Sequence, residues 1–256
     1  MAGTTLFFDN NNLQTANIIT QSIDHASIPQ KDAKLYALAH ASASTIPFTS
    51  YPSKMITVTG RIFHDTVEQL DDLLDTFRGY FTNTGANLDI GYNNATRRYI
   101  ATVNSLTVDR PGGLTYADFK IEFVATQPFG QSTTPLTLVS ASGRTAATYT
   151  DLVTFSGTAP WQRPVVTITY TTVSGNGSIN FGNNANGQQL TISGARAAGD
   201  VITLDVSKKS VQVNYVDYPF TGAFPEFPPG PQSMSYSDAL GSRNLTYNVS
   251  YYPLYL

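Results

Sequence analysis

The sequence predicts two domains of different class: an α+β domain at 1–130 and an all-β domain at 151–256, joined by a linker at 131–150. Three observations predict this. The clear amphipathic helical pattern lies in the first half. Short β-patterned runs bounded by Gly, Asn and Pro fill the second. Between the halves QPFGQSTTPLTLVSASGRTAATYT (127–150) is small, polar and marked by proline, the composition of a boundary.

Residues 4–24 read as extended chain, with turn chemistry at Asp9, Asn10, Asn11 and Asn12. LYALAHA (35–41) reads as a short helix or loop, and Pro47 and Pro52 act as breakers. KMITVTGRIF (54–63) alternates Ile56 and Val58 with Thr57 and Thr59, a strand pattern. The helix is expected over 65–81, with Asp65 as N-cap and Glu68 three residues on. Its apolar stripe is Val67, Leu70, Leu74, Phe77 and Phe81; Asp71, Asp72 and Asp75 lie off it. LDIGY (88–92), a turn at Asn93 and Asn94, and RRYIATVNSLTV (97–108) read as a hairpin. A turn at Pro111, Gly112 and Gly113 leads into YADFKIEFVAT (116–126). Beyond residue 150 strands fit at 151–157, 164–173, 177–182, 188–193, 200–206, 209–215 and 244–252, which suggests a β-sandwich or jelly roll.

Composition excludes several functions. The net charge of −3 lacks the basic face that phosphate-driven nucleic-acid binding needs. Without cysteine there is no disulfide, no thiolate zinc site and no thiol nucleophile. The start MAGTTLFFDNNN has no signal-peptide pattern, and no apolar run is long enough to span a bilayer, so synthesis in a soluble, reducing compartment is expected. Charged residues at 13% are about half the usual share, which suits β-rich surfaces that meet other proteins.

Catalytic and metal patterns do not assemble. His25, His40 and His64 have no metal-ligand spacing, and Ser22, Asp24 and His25 have triad residue types without a nucleophile elbow. On a helix, Asp71, Asp72 and Asp75 splay apart and lack the loop glycine of a calcium site. SGNGSINFG (174–182) has the wrong spacing for a phosphate loop and no helix after it, which makes it a hairpin turn. No enzyme activity, metal or cofactor is therefore expected. Trp161, Tyr170, Tyr215 and Tyr218 are candidates for sugar stacking, with the sandwich interior as the competing role. Tyr92, Arg97, Arg98 and Tyr99 join residue types enriched at interfaces, a candidate subunit contact; stacking on nucleic acid is the rival reading for the same hairpin.

One segment is unusual. Between Phe224 and Pro231 stand four prolines and two phenylalanines. Proline cannot donate to a ladder and fixes φ, so Phe224, Pro225, Phe227, Pro228 and Pro229 are expected to form a rigid structural crossing.

AAGDVITLDVSKKSVQVNYVDYPFTGAFPEFPPGPQSMSYS resembles the end of the C-terminal domain of distal tail proteins (Dit) of long-tailed bacteriophages. The matching features are Gly199 and Asp200, a strand at 201–206, the basic turn Lys208 and Lys209, a strand at 211–215, and the crossing at 222–230. PSKMITVTGRIF, the helix, the hairpin with RRYIA and FKIEFVATQPFG extend the resemblance over most of the chain. It implies a hexameric ring between the tail tube and the tail-tip hub. N-terminal belt domains would build the ring and a channel for DNA, and C-terminal galectin-like β-sandwich domains would project outward. The implied partners are copies of itself, the tail-tube protein, the hub protein and receptor-binding or adhesin proteins. The implied location is the distal tail of the virion after synthesis in the host cytoplasm. Neither specific nucleic-acid binding nor membrane insertion is implied. Two departures stand out: 26–53 lacks a family pattern, and the C-terminal half has no long insertion to serve as a docking arm. A carbohydrate-binding adhesin and a tail-tube subunit are the rival readings.

Overall fold

A computed structural model describes residues 5–25, 27, 32–33, 36–37, 44–45, 49–92 and 95–256. Strand predominates among them, with one α-helix. The chain divides into two compact units, one running to Thr133 and the other spanning Thr134–Tyr255.

The first unit contains β1 (Thr5–Phe8), β2 (Ile18–Asp24), β3 (Lys54–Phe63), α1 (Val67–Gly79), β4 (Ala86–Tyr92), β5 (Ala95–Asp109) and β6 (Tyr116–Ala125). They form an antiparallel sheet in the order β1-β4-β5-β6-β3-β2. Period-two alternation decides which face is buried. Ile56, Val58 and Ile62 of β3 and Phe119, Ile121 and Phe123 of β6 point to one side, where Leu70, Leu74 and Phe77 of α1 complete the core. Aromatic rings tile this contact, with Phe77 and Phe81 each 5.0 Å from a neighbour. Gly60 is required there: a Cβ would sit 2.4 Å from the Phe119 ring and from the Ile19 carbonyl.

The helix starts one residue later than expected, because Thr66, not Asp65, is the N-cap. Its hydroxyl accepts from the Gln69 amide at 3.3 Å, so the capping pair is Thr66 with Gln69. The hairpin of β4 and β5 forms in the expected place, in unbroken register from Ala95 to Ala101, and the pairing of β5 with β6 shifts register between Val103 and Ser105. Asp9 and Asn10 both take positive φ, 48° and 65°, in the tight turn where Phe8 pairs with Asn11. Most of 35–41 lies outside the described residues; Tyr36–Ala37 pairs as strand with Ser44–Thr45 rather than forming a helix.

The second unit contains β7 (Leu136–Arg144), β8 (Thr148–Phe155), β9 (Val165–Ser174), β10 (Ile179–Asn183), β11 (Gln188–Ile192), β12 (Val201–Asp205), β13 (Ser210–Val213), β14 (Gly230–Asp238) and β15 (Ser242–Tyr251). One sheet runs β7-β15-β9-β12-β13 and the other β8-β14-β10-β11. Val166, Ile168, Leu204 and Tyr247 of the first face Phe155, Phe181, Leu190 and Tyr236 of the second in a single core, a β-sandwich.

Two expectations need correction. Much of the expected 131–150 linker is strand: β7 pairs along β15, and β8 starts at Thr148. Its Thr, Ser and Ala side chains are those of half-exposed edge strands, which composition alone reads as loop. The strand β14 was also not anticipated. Its inward Gln232, Met234 and Tyr236 alternate with Pro231 and three serines, too weak a pattern beside the prolines.

Candidate functional site

The hairpin candidates separate onto opposite faces. Tyr99 is 4% exposed and belongs to the first unit's core, with the Lys54 ammonium 5.5 Å from its ring centre. Burial rules it out as a surface contact. Arg98, one residue earlier, points to the other face and grips Asp89 across the strand pair, Nε to Oδ1 at 2.7 Å and Nη2 to Oδ2 at 2.6 Å. Arg97 stands on the Tyr99 side, half-buried, opposite Ser132. Tyr92 closes the strand opposite Ala95.

On the sheet face away from α1, cations are matched by carboxylates. Arg61 holds Asp118 in two bonds, at 2.7 and 3.0 Å, and lies over the Tyr116 ring at 4.2 Å. Its guanidinium keeps the Asp118 carboxyl below the usual range. Lys120 pairs with Glu122 at 2.7 Å, and Ser105 donates to the same carboxylate; both bonds hold Glu122 low. Thr57, Thr59 and Thr107 intervene, and Ser22 shares a hydroxyl bond of 2.6 Å with Thr59. Ser22 is thus tied to a threonine, and the Nδ1 of His25 lies 3.3 Å from the Ile23 carbonyl. His40 lies outside the described residues.

Salt bridges also tie two of the three helix aspartates. Asp75 bonds Arg78 at 2.7 Å, and Asp71 bonds Arg110. Asp72 borders a shallow groove with Asn17, His64, Gln69 and Thr76. Among the described residues no group of three metal-ligating side chains converges.

The proline-rich crossing enters the sandwich. Phe227 is fully buried, 5.2 Å from the Phe155 ring and 6.2 Å from Phe181. Pro225 is buried, Pro228 is exposed and Pro229 half-buried. Phe224 meets Phe220 edge-on at 5.0 Å against the rim of the core. Side chains satisfy the backbone that the prolines leave without a ladder. Asn183 and Asn186 each donate to the Glu226 carbonyl at 2.9 Å, and the Glu226 amide donates to Gln188. The buried Gln162 donates its backbone N–H to the Phe227 carbonyl at 2.7 Å. Sequence reasoning found the crossing but missed these polar anchors, which lie 38 or more residues away in the chain.

The sugar-stacking candidates differ in exposure, with Trp161 half-buried. Tyr170 is fully buried, whereas Tyr215 is 82% exposed on the turn after β13. Tyr218 is half-buried, 4.9 Å beneath the Arg196 guanidinium. Tyr170 instead begins a buried polar chain. Its hydroxyl lies 3.0 Å from that of Tyr236, which donates to Asp238 at 2.6 Å. Arg243 Nε sits 2.8 Å from Asp238, a charge contact outside hydrogen-bond angles, and Nη2 donates to the Leu240 carbonyl. Burial pushes the Tyr170 hydroxyl up to about 12, and Tyr236 is raised further by burial and by its two neighbours. Nearby, Arg144 pairs twice with Asp151 and lies over the rings of Tyr149 and Tyr247.

No family model matches the chain, and no curated protein matches it. Among solved structures, the SPP1 Dit protein aligns over 99% of both chains with a TM-score of 0.74 at 13% identity. The chain has a Dit-like fold. The Dit resemblance drawn from the residues therefore agrees with the backbone. The SPP1 protein is described as a paradigm of the hub adsorption apparatus in phages that infect Gram-positive bacteria. The activated phage P2 baseplate aligns over 98% of both chains at 10% identity, with a TM-score of 0.48.

Proposed function

We propose that this chain is a structural subunit of a phage tail tip, forming a hexameric ring that joins the tail tube to the tail-tip hub and lets DNA pass. The full-length match to the SPP1 Dit fold carries the reading. The first unit is the belt that closes the ring; the second is a galectin-like domain that meets hub, receptor-binding or adhesin proteins. The location is the distal end of the virion tail, the role is non-enzymatic, and synthesis is in the host cytoplasm.

Self-neutralised charge supports passage. Arg61, Lys120 and Arg98 already hold carboxylates, so on the sheet face away from α1 these three described cations meet phosphates only by breaking a pair. DNA adhesion grows with each free Lys or Arg contact. A lumen formed by such a face, on subunits of net charge −3, is neutral or acidic and lets duplex DNA slide. The adhesin alternative loses one of its four stacking candidates, Tyr170, to the core. Antibodies against the chain should label only the distal tip of intact tails; label along the whole tube would favour the tail-tube subunit.

A further inference from the structure

The two edge strands at one side of the sandwich are built differently. β7 is interrupted by register shifts between Thr137 and Val139 and between Ala141 and Arg144. Such irregularities blunt an edge against further pairing. β8 pairs with β14 without a break through all eight residues, Thr148 to Phe155, and is the outermost strand of its sheet. It has no proline, lysine or bulge to guard it. Leu152 stands 85% exposed near its middle, beside a shallow groove shared with Thr154, Ala185, Pro231 and Ser233.

We propose that β8 is a docking edge for β8 of a second copy of this chain, paired antiparallel about a two-fold axis at Leu152. Self-pairing fits the strand. In that register Leu152 lies beside its counterpart, and Thr150 lies beside the other copy's Thr154. The strand's charge is Asp151, which Arg144 holds at 2.6 and 2.8 Å, so no unpaired like charges meet. One such contact covers far less than the roughly 1,200 Å² of a stable standard interface. It is weak between isolated copies and gains strength where several edges act together. The pairing goes beyond the proposed ring and does not require it.

The absence of cysteine makes a direct test available in the full chain. Leu152→Cys, Thr148→Cys and Tyr215→Cys each place one thiol at an exposed position. Facing residues of an antiparallel pair lie about 4.5–5.5 Å apart at Cα, within disulfide range. Under mild oxidation Leu152→Cys should form dimers several-fold faster than Tyr215→Cys, which reports random collision. Thr148→Cys, far from its own counterpart in this register, should match Tyr215→Cys. Leu152→Cys no faster than Tyr215→Cys overturns the proposal, and so does Thr148→Cys dimerising faster than Leu152→Cys.

Discussion

The two units treat charge in opposite ways. In the first, arginines and carboxylates pair on a half-exposed sheet face above an apolar core, as Arg61 does with Asp118. In the second they enter the sandwich: the Asp238 side chain is fully buried and Arg243 is 9% exposed. A surface pair stabilises little because water screens it, whereas breaking a buried pair strands a charge. The first unit therefore keeps its charge pairs where water reaches them, and the second uses charge to fix how its sheets meet.

The largest effect that would break this contrast is on stability. Asp238→Ala leaves Arg243 buried and removes the acceptor for Tyr236, and should cost about 3–5 kcal/mol in urea unfolding. Phe227→Ala opens a cavity between Phe155 and Phe181, with a similar expected loss of about 3–5 kcal/mol. A loss below about 1 kcal/mol for either would mean that the crossing and the buried pair are peripheral to the sandwich.

Alkaline pH probes the same interior. An unfolded tyrosine ionises near pH ~10. Tyr170 in the fold ionises at about 12, and burial raises Tyr236 and Tyr247 as well. The folded state thus holds these protons while the unfolded chain releases them. The stabilisation is complete below pH ~10 and is lost as pH rises through the folded values. Absorbance titration should show these tyrosines ionising only with unfolding. Free titration of all tyrosines near pH ~10 in folded protein would contradict the burial.

A smaller effect belongs to the first unit. Replacing Asp89 and Asp118 by Asn and Glu122 by Gln should leave the fold intact and release Arg98, Arg61 and Lys120. Duplex DNA should then bind in a salt-dependent way, while the parent protein shows no retention at physiological salt in filter binding. Tight DNA binding by the parent would contradict a non-adhesive face. Arg97→Ala with Arg98→Ala should change stability by about 1 kcal/mol or less while weakening assembly. An unchanged assembly on size exclusion would remove the hairpin from the interface.

What the sequence made legible follows from local physics. The α1 stripe, the β4 and β5 hairpin and the 54–63 strand are short-range patterns, and they stand where expected. Phe227 could be assigned to a crossing because proline restricts its own backbone. The anchors Asn183, Asn186 and Gln162 carried no local signal, since their partners are distant in the chain. β7 and β14 were hidden for a related reason: their stability comes from neighbouring strands rather than from their own apolar content. Tyr99 shows the limit for sites. Tyr and Arg side by side suggest an interface, yet strand alternation sends adjacent residues to opposite faces, one of them into the core.

Assembly of this chain into a ring is tested most directly by its mass in solution. Native mass spectrometry of the full chain, with negative-stain images of the same sample, should show closed rings of six copies or a multiple of six. A protein that remains monomeric at the highest soluble concentrations, or that grows into open tubes of indefinite length, would contradict ring assembly.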